Sequence, residues 1–265
     1  MSTPLLEVKE LSRRFGGLLA LDRVSFAVQP GEIFGLIGPN GAGKTTLFNL
    51  ISGVTPPSSG AVLWHGNTIT GQAPHRLNRL GLARTFQNLR LFEGLSVLDN
   101  LLVALQHHPR SSAAGGLLNS TGHQRAERQR LEAAWQLLEE LGLAAFAELP
   151  AGTLAYGDRR RLEMARALAT RPQLLLLDEP AAGLNPAEKD KLCQLIGDLR
   201  QHHQLTVMII EHHVPLLMRL CDRMAVLDFG VRIGLGTPDA VRRDPKVIEA
   251  YLGTGAGTGT GGSAP

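Results

Sequence analysis

The octet Gly38-Pro39-Asn40-Gly41-Ala42-Gly43-Lys44-Thr45 constrains this chain more than any other feature. It fits the pattern of a glycine, four residues, then Gly-Lys-Ser/Thr. It also stands where an apolar run, Glu32 to Ile37, stops abruptly at Gly38 and a helical pattern opens near Lys44. A glycine-rich turn that ended in Lys-Thr by chance would need no such flanks. In the order strand, loop, helix, the glycines let successive backbone N–H groups point inward at phosphate oxygens, and the helix contributes its positive end. Lys44 then reaches the β and γ phosphates, and the Thr45 hydroxyl is offered to Mg²⁺. Thr46 completes the expected cradle. The ligands implied are ATP, or another nucleoside triphosphate, and Mg²⁺.

A second element agrees with the first. Leu174-Leu175-Leu176-Leu177 reads as a strand buried on both faces, and it ends in Asp178-Glu179. Ligands of open α/β sheets sit at the C-terminal ends of strands, so Asp178 is expected to hold Mg²⁺ and Glu179 to polarise an attacking water. Adjacent carboxylates at a solvated strand end are the plainer alternative.

The rest of the chain reads as an α/β protein with a P-loop NTPase core, a mixed and mostly parallel sheet, a small N-terminal antiparallel part and an inserted helical subdomain. Leu5 to Val8 and Val24 to Val28 predict antiparallel strands. Between about Leu95 and Leu141 the period becomes helical, with Leu95, Leu98, Leu101 and Leu102 on one face and Leu131, Ala134, Leu137, Leu138 and Leu141 on another. Pro109 to Gly122 reads as a flexible loop between them. Beyond it the pattern predicts a helix from about Arg159 to Thr170, a helix from Ala187 to Leu199 and a strand from Thr206 to Ile210. One domain is expected over 5–252, its core about 5–86 and 172–252 and its helical part about 88–171. Gly253 to Pro265, rich in Gly and Thr, is expected to be a disordered tail.

Bulk properties exclude more than they select. Charged residues make up 19% of the 265, the net charge is +3 and mean hydropathy is near zero, so the chain is globular rather than disordered. That charge is too small to argue for nucleic acid, and no nucleic-acid partner is expected. Cys193 and Cys221 stand in no metal-ligand spacing and are read as reduced, buried residues of a cytosolic protein. The N-terminus has no secretory pattern, and no segment reaches the roughly 18 apolar residues that cross a membrane.

The stretch Leu154 to Leu168, Leu-Ala-Tyr-Gly-Asp-Arg-Arg-Arg-Leu-Glu-Met-Ala-Arg-Ala-Leu, narrows the class. It resembles the signature helix of ABC ATPases and lies just upstream of the carboxylate strand, as in that family. Gln87 in Thr-Phe-Gln-Asn matches the Q-loop, Ala181-Ala182-Gly183-Leu184-Asn185 the D-loop, and His212 in Glu-His-His the switch histidine. The resemblance implies an ATPase of two subunits facing head to tail. Each ATP would lie between the phosphate loop of one subunit and Leu154, Ala155, Tyr156, Gly157 and Asp158 of the other. It gives His212 a contact to the γ-phosphate, makes Gln87 a link between the Mg²⁺ site and a membrane partner, and stacks adenine on Phe15, for which a core position is the plainer alternative.

Three positions depart from the usual Leu-Ser-Gly-Gly-Gln: Ala155 for Ser, Tyr156 for the first Gly and Asp158 for Gln. Asn185 and His213 stand where Asp is common, and His213 is a second candidate for the switch role. Two chemically unequal ATP sites are therefore expected. Together with Ile-Glu-His-His and the ending Val-Ile-Glu-Ala-Tyr-Leu-Gly, these departures look like the LivG-type ATPases of branched-chain amino-acid importers. The implied partners are a second ABC ATPase, membrane permeases and, indirectly, a periplasmic substrate-binding protein, with the chain peripheral on the cytoplasmic face of the inner membrane. Motors of urea, amide or lipopolysaccharide systems stay open as alternatives. A soluble ABC protein is disfavoured because each motif occurs once and no heptads are sustained. A P-loop kinase or GTPase is disfavoured by the signature and the absence of Asn-Lys-x-Asp.

Overall fold

Register breaks, rather than clean alternation, shape the N-terminal sheet. β1 (Leu6–Phe15) pairs antiparallel with β2 (Leu18–Val28), from Leu6 opposite Val28 to Phe15 opposite Leu18, with shifts after Val8, Leu11 and Arg13. These bulges interrupt the two-residue period. That is why the sequence pattern revealed only the ends of the pair. The computed structural model describes residues 3–87, 89–106 and 121–253. In chain order there follow β3 (Ile33–Ile37), α1 (Lys44–Ile51), β4 (Ser59–Trp64), β5 (Asn67–Thr68), α2 (Pro74–Arg79), β6 (Leu82–Arg84), α3 (Val97–Leu105), α4 (Thr121–Glu140) and α5 (Tyr156–Ala169). The remainder is β7 (Leu174–Asp178), α6 (Pro186–His202), β8 (Thr206–Ile210), α7 (Val214–Leu220), β9 (Arg223–Asp228), β10 (Val231–Gly236), α8 (Pro238–Arg243) and α9 (Pro245–Gly253).

The chain divides into two compact units. One holds the described residues up to Leu77 and from Leu199 onward; the other spans Asn78–Asp198. The first contains the antiparallel sheet, ordered β2-β1-β4-β5, and four strands ordered β10-β9-β3-β8. In the latter set β3 runs parallel to both β8 and β9, and only β10 is antiparallel to its neighbour. Every residue of β3 and β8 is buried, as parallel strands covered on both faces require.

The second unit pairs β6 with β7 in parallel and packs α3, α4 and α5 together. α3 begins at Ser96, whose hydroxyl accepts the Asp99 N–H and so satisfies a donor that the first helical turn leaves open. Its buried face is Val97, Asn100, Leu101 and Leu105. The expected stripe of Leu95, Leu98, Leu101 and Leu102 is thus rotated: Leu95 precedes the cap and is 39% exposed, while Leu98 and Leu102 are half-buried. Asn100 is tolerated inside because its amide bonds Phe92 N–H, Phe92 O and Ser96 O. On α4, Ala134, Leu137 and Leu138 are buried as expected, but Leu131 is exposed.

Other expectations shift at their edges. Thr121 and Gly122, read as loop, belong to α4, and Gly253, read as tail, ends α9. The rest of the expected loop and tail, 109–120 and 254–265, lies outside the described residues. α5 starts three residues earlier than the pattern suggested, at Tyr156. Cys221 is buried but Cys193 only half-buried, and among the described residues neither is in a disulfide. Among the described residues no helix is long and apolar enough to cross a membrane.

Leu101 has no exposed surface, whereas Leu131 is 41% exposed. In urea denaturation of the purified chain, Leu101→Ala is expected to cost about 2–5 kcal/mol and Leu131→Ala about 0.5 kcal/mol or less. Equal costs would show that the two leucines share one buried face.

Candidate nucleotide site

In the first unit the phosphate loop leaves the C-terminal end of β3 and enters α1 through Gly43, a left-handed N-cap at φ 98° that offers no capping side chain. Gly38 is required by crowding: a Cβ there would lie 2.1 Å from the Leu227 carbonyl oxygen. Lys44 is 5% exposed, and its ammonium donates to the Gly38 and Pro39 carbonyls at 2.7 and 2.8 Å. The buried charge is thereby held by the loop's own oxygens. Ala42 is buried, Pro39, Gly43 and Thr46 are half-buried, and Asn40, Gly41 and Thr45 are exposed.

Strand register brings His212 to the same level as Gly38. Leu36 of β3 lies opposite Ile210 of β8, so Gly38 and His212 each stand two residues beyond a paired position on neighbouring parallel strands. Glu211 is buried, and its carboxylate accepts the His212 backbone N–H. His212 and His213 are both exposed, but His213 forms the N-cap position of α7, which fixes its backbone differently. Phe15, at the end of β1, is 45% exposed, with the Arg13 guanidinium 4.5 Å from its ring centroid. It is not a core residue.

Sequence reasoning missed Tyr251 on α9, far along the chain from the glycine loop. Tyr251 makes a hydrogen bond to the Gly38 backbone; burial, chiefly, pushes its phenol above the usual range, and nearby Asp228 adds to the rise.

The second unit repeats the strand-end logic. Arg84 of β6 lies opposite Leu176 of β7, which puts Gln87 level with Glu179. The Gln87 amide donates to the Glu179 carboxylate at 3.0 Å. Glu179 itself sits at φ 50°, the left-handed region that costs a non-glycine residue conformational energy and that recurs where a side chain must be aimed. Asp178 is paired with Arg84 at 2.8 Å, both side chains nearly fully buried. Its other oxygen, Oδ1, is buried and has no hydrogen-bond partner among the described residues. An orphaned carboxylate oxygen suits a divalent cation or its water. No cluster of three His, Cys, Asp or Glu side chains occurs among the described residues, so such a cation would draw most ligands from phosphate, hydroxyl and water, as Mg²⁺ does. Arg84 was also missed. Its signal was a charge at the end of the otherwise apolar strand Leu82-Ala83-Arg84.

The signature segment lies in the same unit. Leu154 is buried, Ala155 is an exposed N-cap without a side-chain hydrogen bond, and Gly157 is half-buried in the first turn of α5. The start of this helix therefore keeps open N–H groups. Asp158 is taken up by an ion pair with Arg161. Glu163 accepts the Phe86 N–H, and burial pushes its carboxyl above the ordinary value despite the nearby arginines. Asn185 caps α6 reciprocally with Glu188: each side chain accepts the other's backbone N–H, at 3.0 and 2.8 Å.

A strand, a glycine loop holding its own lysine and a helix, with a carboxylate-tipped strand in the other unit, define a P-loop NTPase. The family model described as ABC transporter matches residues 21–182, and that described as Branched-chain amino acid ATP-binding cassette transporter matches 232–257. The branched-chain amino acid transport ATP-binding protein BraF of Pseudomonas aeruginosa is 47% identical over 96% of this chain and 99% of its own length. LivG of Escherichia coli is 46% identical with the same coverage. A solved ATP-binding cassette of an ABC transporter in its ADP conformation superposes with a TM-score of 0.82 at 32% identity, covering 95% of this chain and all of that one. The chain belongs to the ABC transporter family as an ATP-binding subunit of the LivG and BraF type.

Arg84→Met would leave Asp178 as a buried, uncompensated charge. It is expected to lower stability by about 3–5 kcal/mol in denaturant unfolding, and most of that loss should return when Asp178→Asn is added. A loss under about 1 kcal/mol would show that water already solvates the carboxylate.

Proposed function

We propose that this chain is the ATP-hydrolysing motor of a bacterial importer of branched-chain amino acids, working beside a second ATPase of the same class and two membrane permeases fed by a periplasmic binding protein. The substrate and partners are inferred from relatives that match 96% of the chain at 46–47% identity and carry that transport in their names. The hydrolytic role rests on one observation above others: the Glu179 carboxylate, carried on a left-handed backbone, is held by the Gln87 amide.

ATP arriving at the loop takes the Lys44 ammonium from the Gly38 and Pro39 carbonyls, and the open N–H groups of the loop and of α1 meet the phosphates. Phe15 offers a ring face to adenine. In the first unit the Thr45 hydroxyl, and in the second Asp178 Oδ1 and the Gln87 side chain, are the groups that would serve Mg²⁺ and its water. Mg²⁺, when bound, neutralises charge on the β and γ phosphates. Glu179 accepts a proton from a water that attacks the γ-phosphorus, the bond from that phosphorus to the bridging oxygen breaks, and ADP departs. His212 stabilises the γ-phosphate and the water. Leu154 to Asp158 meets the γ-phosphate held by the partner subunit, through backbone N–H groups rather than a serine hydroxyl. With a motor partner that keeps the usual signature, the two ATP sites are unequal.

Glu179→Gln is expected to abolish turnover while leaving ATP affinity within about twofold, since the carboxylate acts on water. Lys44→Ala should instead remove binding, because a charge opposite two phosphates is lost. Equal loss of affinity and hydrolysis in Glu179→Gln would refute the general-base role.

Cells lacking this subunit are expected to lose uptake of labelled leucine, isoleucine and valine, and to regain it on complementation. Unchanged uptake of all three would assign the motor to another substrate.

A further inference from the structure

Tyr156 and Arg160 form a pair for which the motifs give no reason. Arg160, one turn into α5, has a side chain 5% exposed. Its Nε and Nη2 both donate to the Tyr156 hydroxyl, at 3.1 and 2.7 Å. Its Nη1 donates to the Phe86 carbonyl at 3.0 Å, and Nη2 also donates to the Gln87 carbonyl at 2.8 Å. Glu163 lies 3.7 Å away as its counter-ion and accepts the Phe86 N–H. One guanidinium thus fixes the backbone on both sides of the Phe86–Gln87 peptide, and the Gln87 amide in turn holds Glu179.

The tyrosine end of this chain is open to arriving groups. Tyr156 is 45% exposed at the first position of α5. Its ring also abuts Gly183: a Cβ there, at φ 78°, would come within 3.2 Å of Tyr156 Cε1. A glycine at 156 would supply neither the acceptor for two buried N–H groups nor the ring against the turn after β7. The exchange of glycine for tyrosine is therefore matched to Arg160.

We propose that Tyr156 is a positioning residue: it senses what docks on the start of α5 and, through Arg160 and the Gln87 backbone, sets the aim of Glu179. This rests on the reading of Glu179 and of the signature given above. A partner or phosphate that displaces the Tyr156 hydroxyl loosens two donors on Arg160. The guanidinium then shifts on the Phe86 and Gln87 carbonyls, and the Gln87 amide moves with its backbone. A group that displaces the hydroxyl therefore spoils the aim of Glu179 and slows turnover.

The test uses the assembled transporter in lipid nanodiscs. Tyr156→Phe keeps the ring and deletes only the acceptor; it is expected to lower kcat about tenfold with the ATP KM within about twofold, as loss of a hydrogen bond to a buried cation predicts. Placed beside Gln87→Ala it should add nothing, because the path is already cut. Arg160→Gln should behave in the same way, and serves if Tyr156→Phe folds poorly. Equal losses with and without Gln87 would overturn the proposal, as would a change confined to KM, which would make Tyr156 a direct nucleotide contact. Glu179→Gln reports separately on the underlying reading: if it stays active, the general-base role fails, whereas additive losses at Tyr156 beside an inactive Glu179→Gln defeat only the relay.

Discussion

Parallel register is the constraint on which the site depends. β3 against β8, and β6 against β7, are parallel neighbours paired without register shifts, so residues equally far beyond a paired position emerge side by side. Gly38 and His212 meet this condition in one unit, Gln87 and Glu179 in the other. β3 in particular cannot slip, because Gly35 stands where a Cβ would lie 2.9 Å from Cys221 Sγ. The alignment of chemical groups is thus a by-product of the apolar packing beneath them.

Charge at these strand ends is handled locally. Lys44 is held by carbonyls, Asp178 by Arg84, and Arg160 by Glu163 together with a phenol and two carbonyls. Isolated, each of these buried charges would be severely penalised by loss of water. Paired, they contribute little net stability but admit few alternative geometries. Asp178 shows what such pairing achieves: Arg84 engages one oxygen and leaves the other free, so the carboxylate has an assigned orientation. The asymmetry comes from β6, one strand away from the motif that carries Asp178.

The fold was legible wherever burial and local chemistry agree. β3, β7 and β8 were found almost to the residue because continuous apolar runs bounded by glycine or acid admit few other readings. β1 and β2 were seen only at their ends because bulges broke the alternation, and the face of α3 was misjudged because Leu95 precedes the helix and Asn100 replaces a leucine inside it. Within the site, residues of local motifs were legible, since glycine loops and adjacent carboxylates carry their reason in sequence. Arg84, Arg160 and Tyr251 were not, because each acts on a group distant in the chain. Their partners are visible only once strands and helices are paired. The departures were legible as departures but not as solutions: Asn185 is the cap of α6, and Asp158 is the counter-ion of Arg161.

The clasp of Lys44 by Gly38 and Pro39 has a consequence for the end of the cycle. An ammonium that finds two carbonyls within its own loop is never stranded when its anionic partner goes. In the proposed cycle these carbonyls compete with phosphate for the same ammonium, opposing nucleotide binding at entry and favouring escape of ADP at exit.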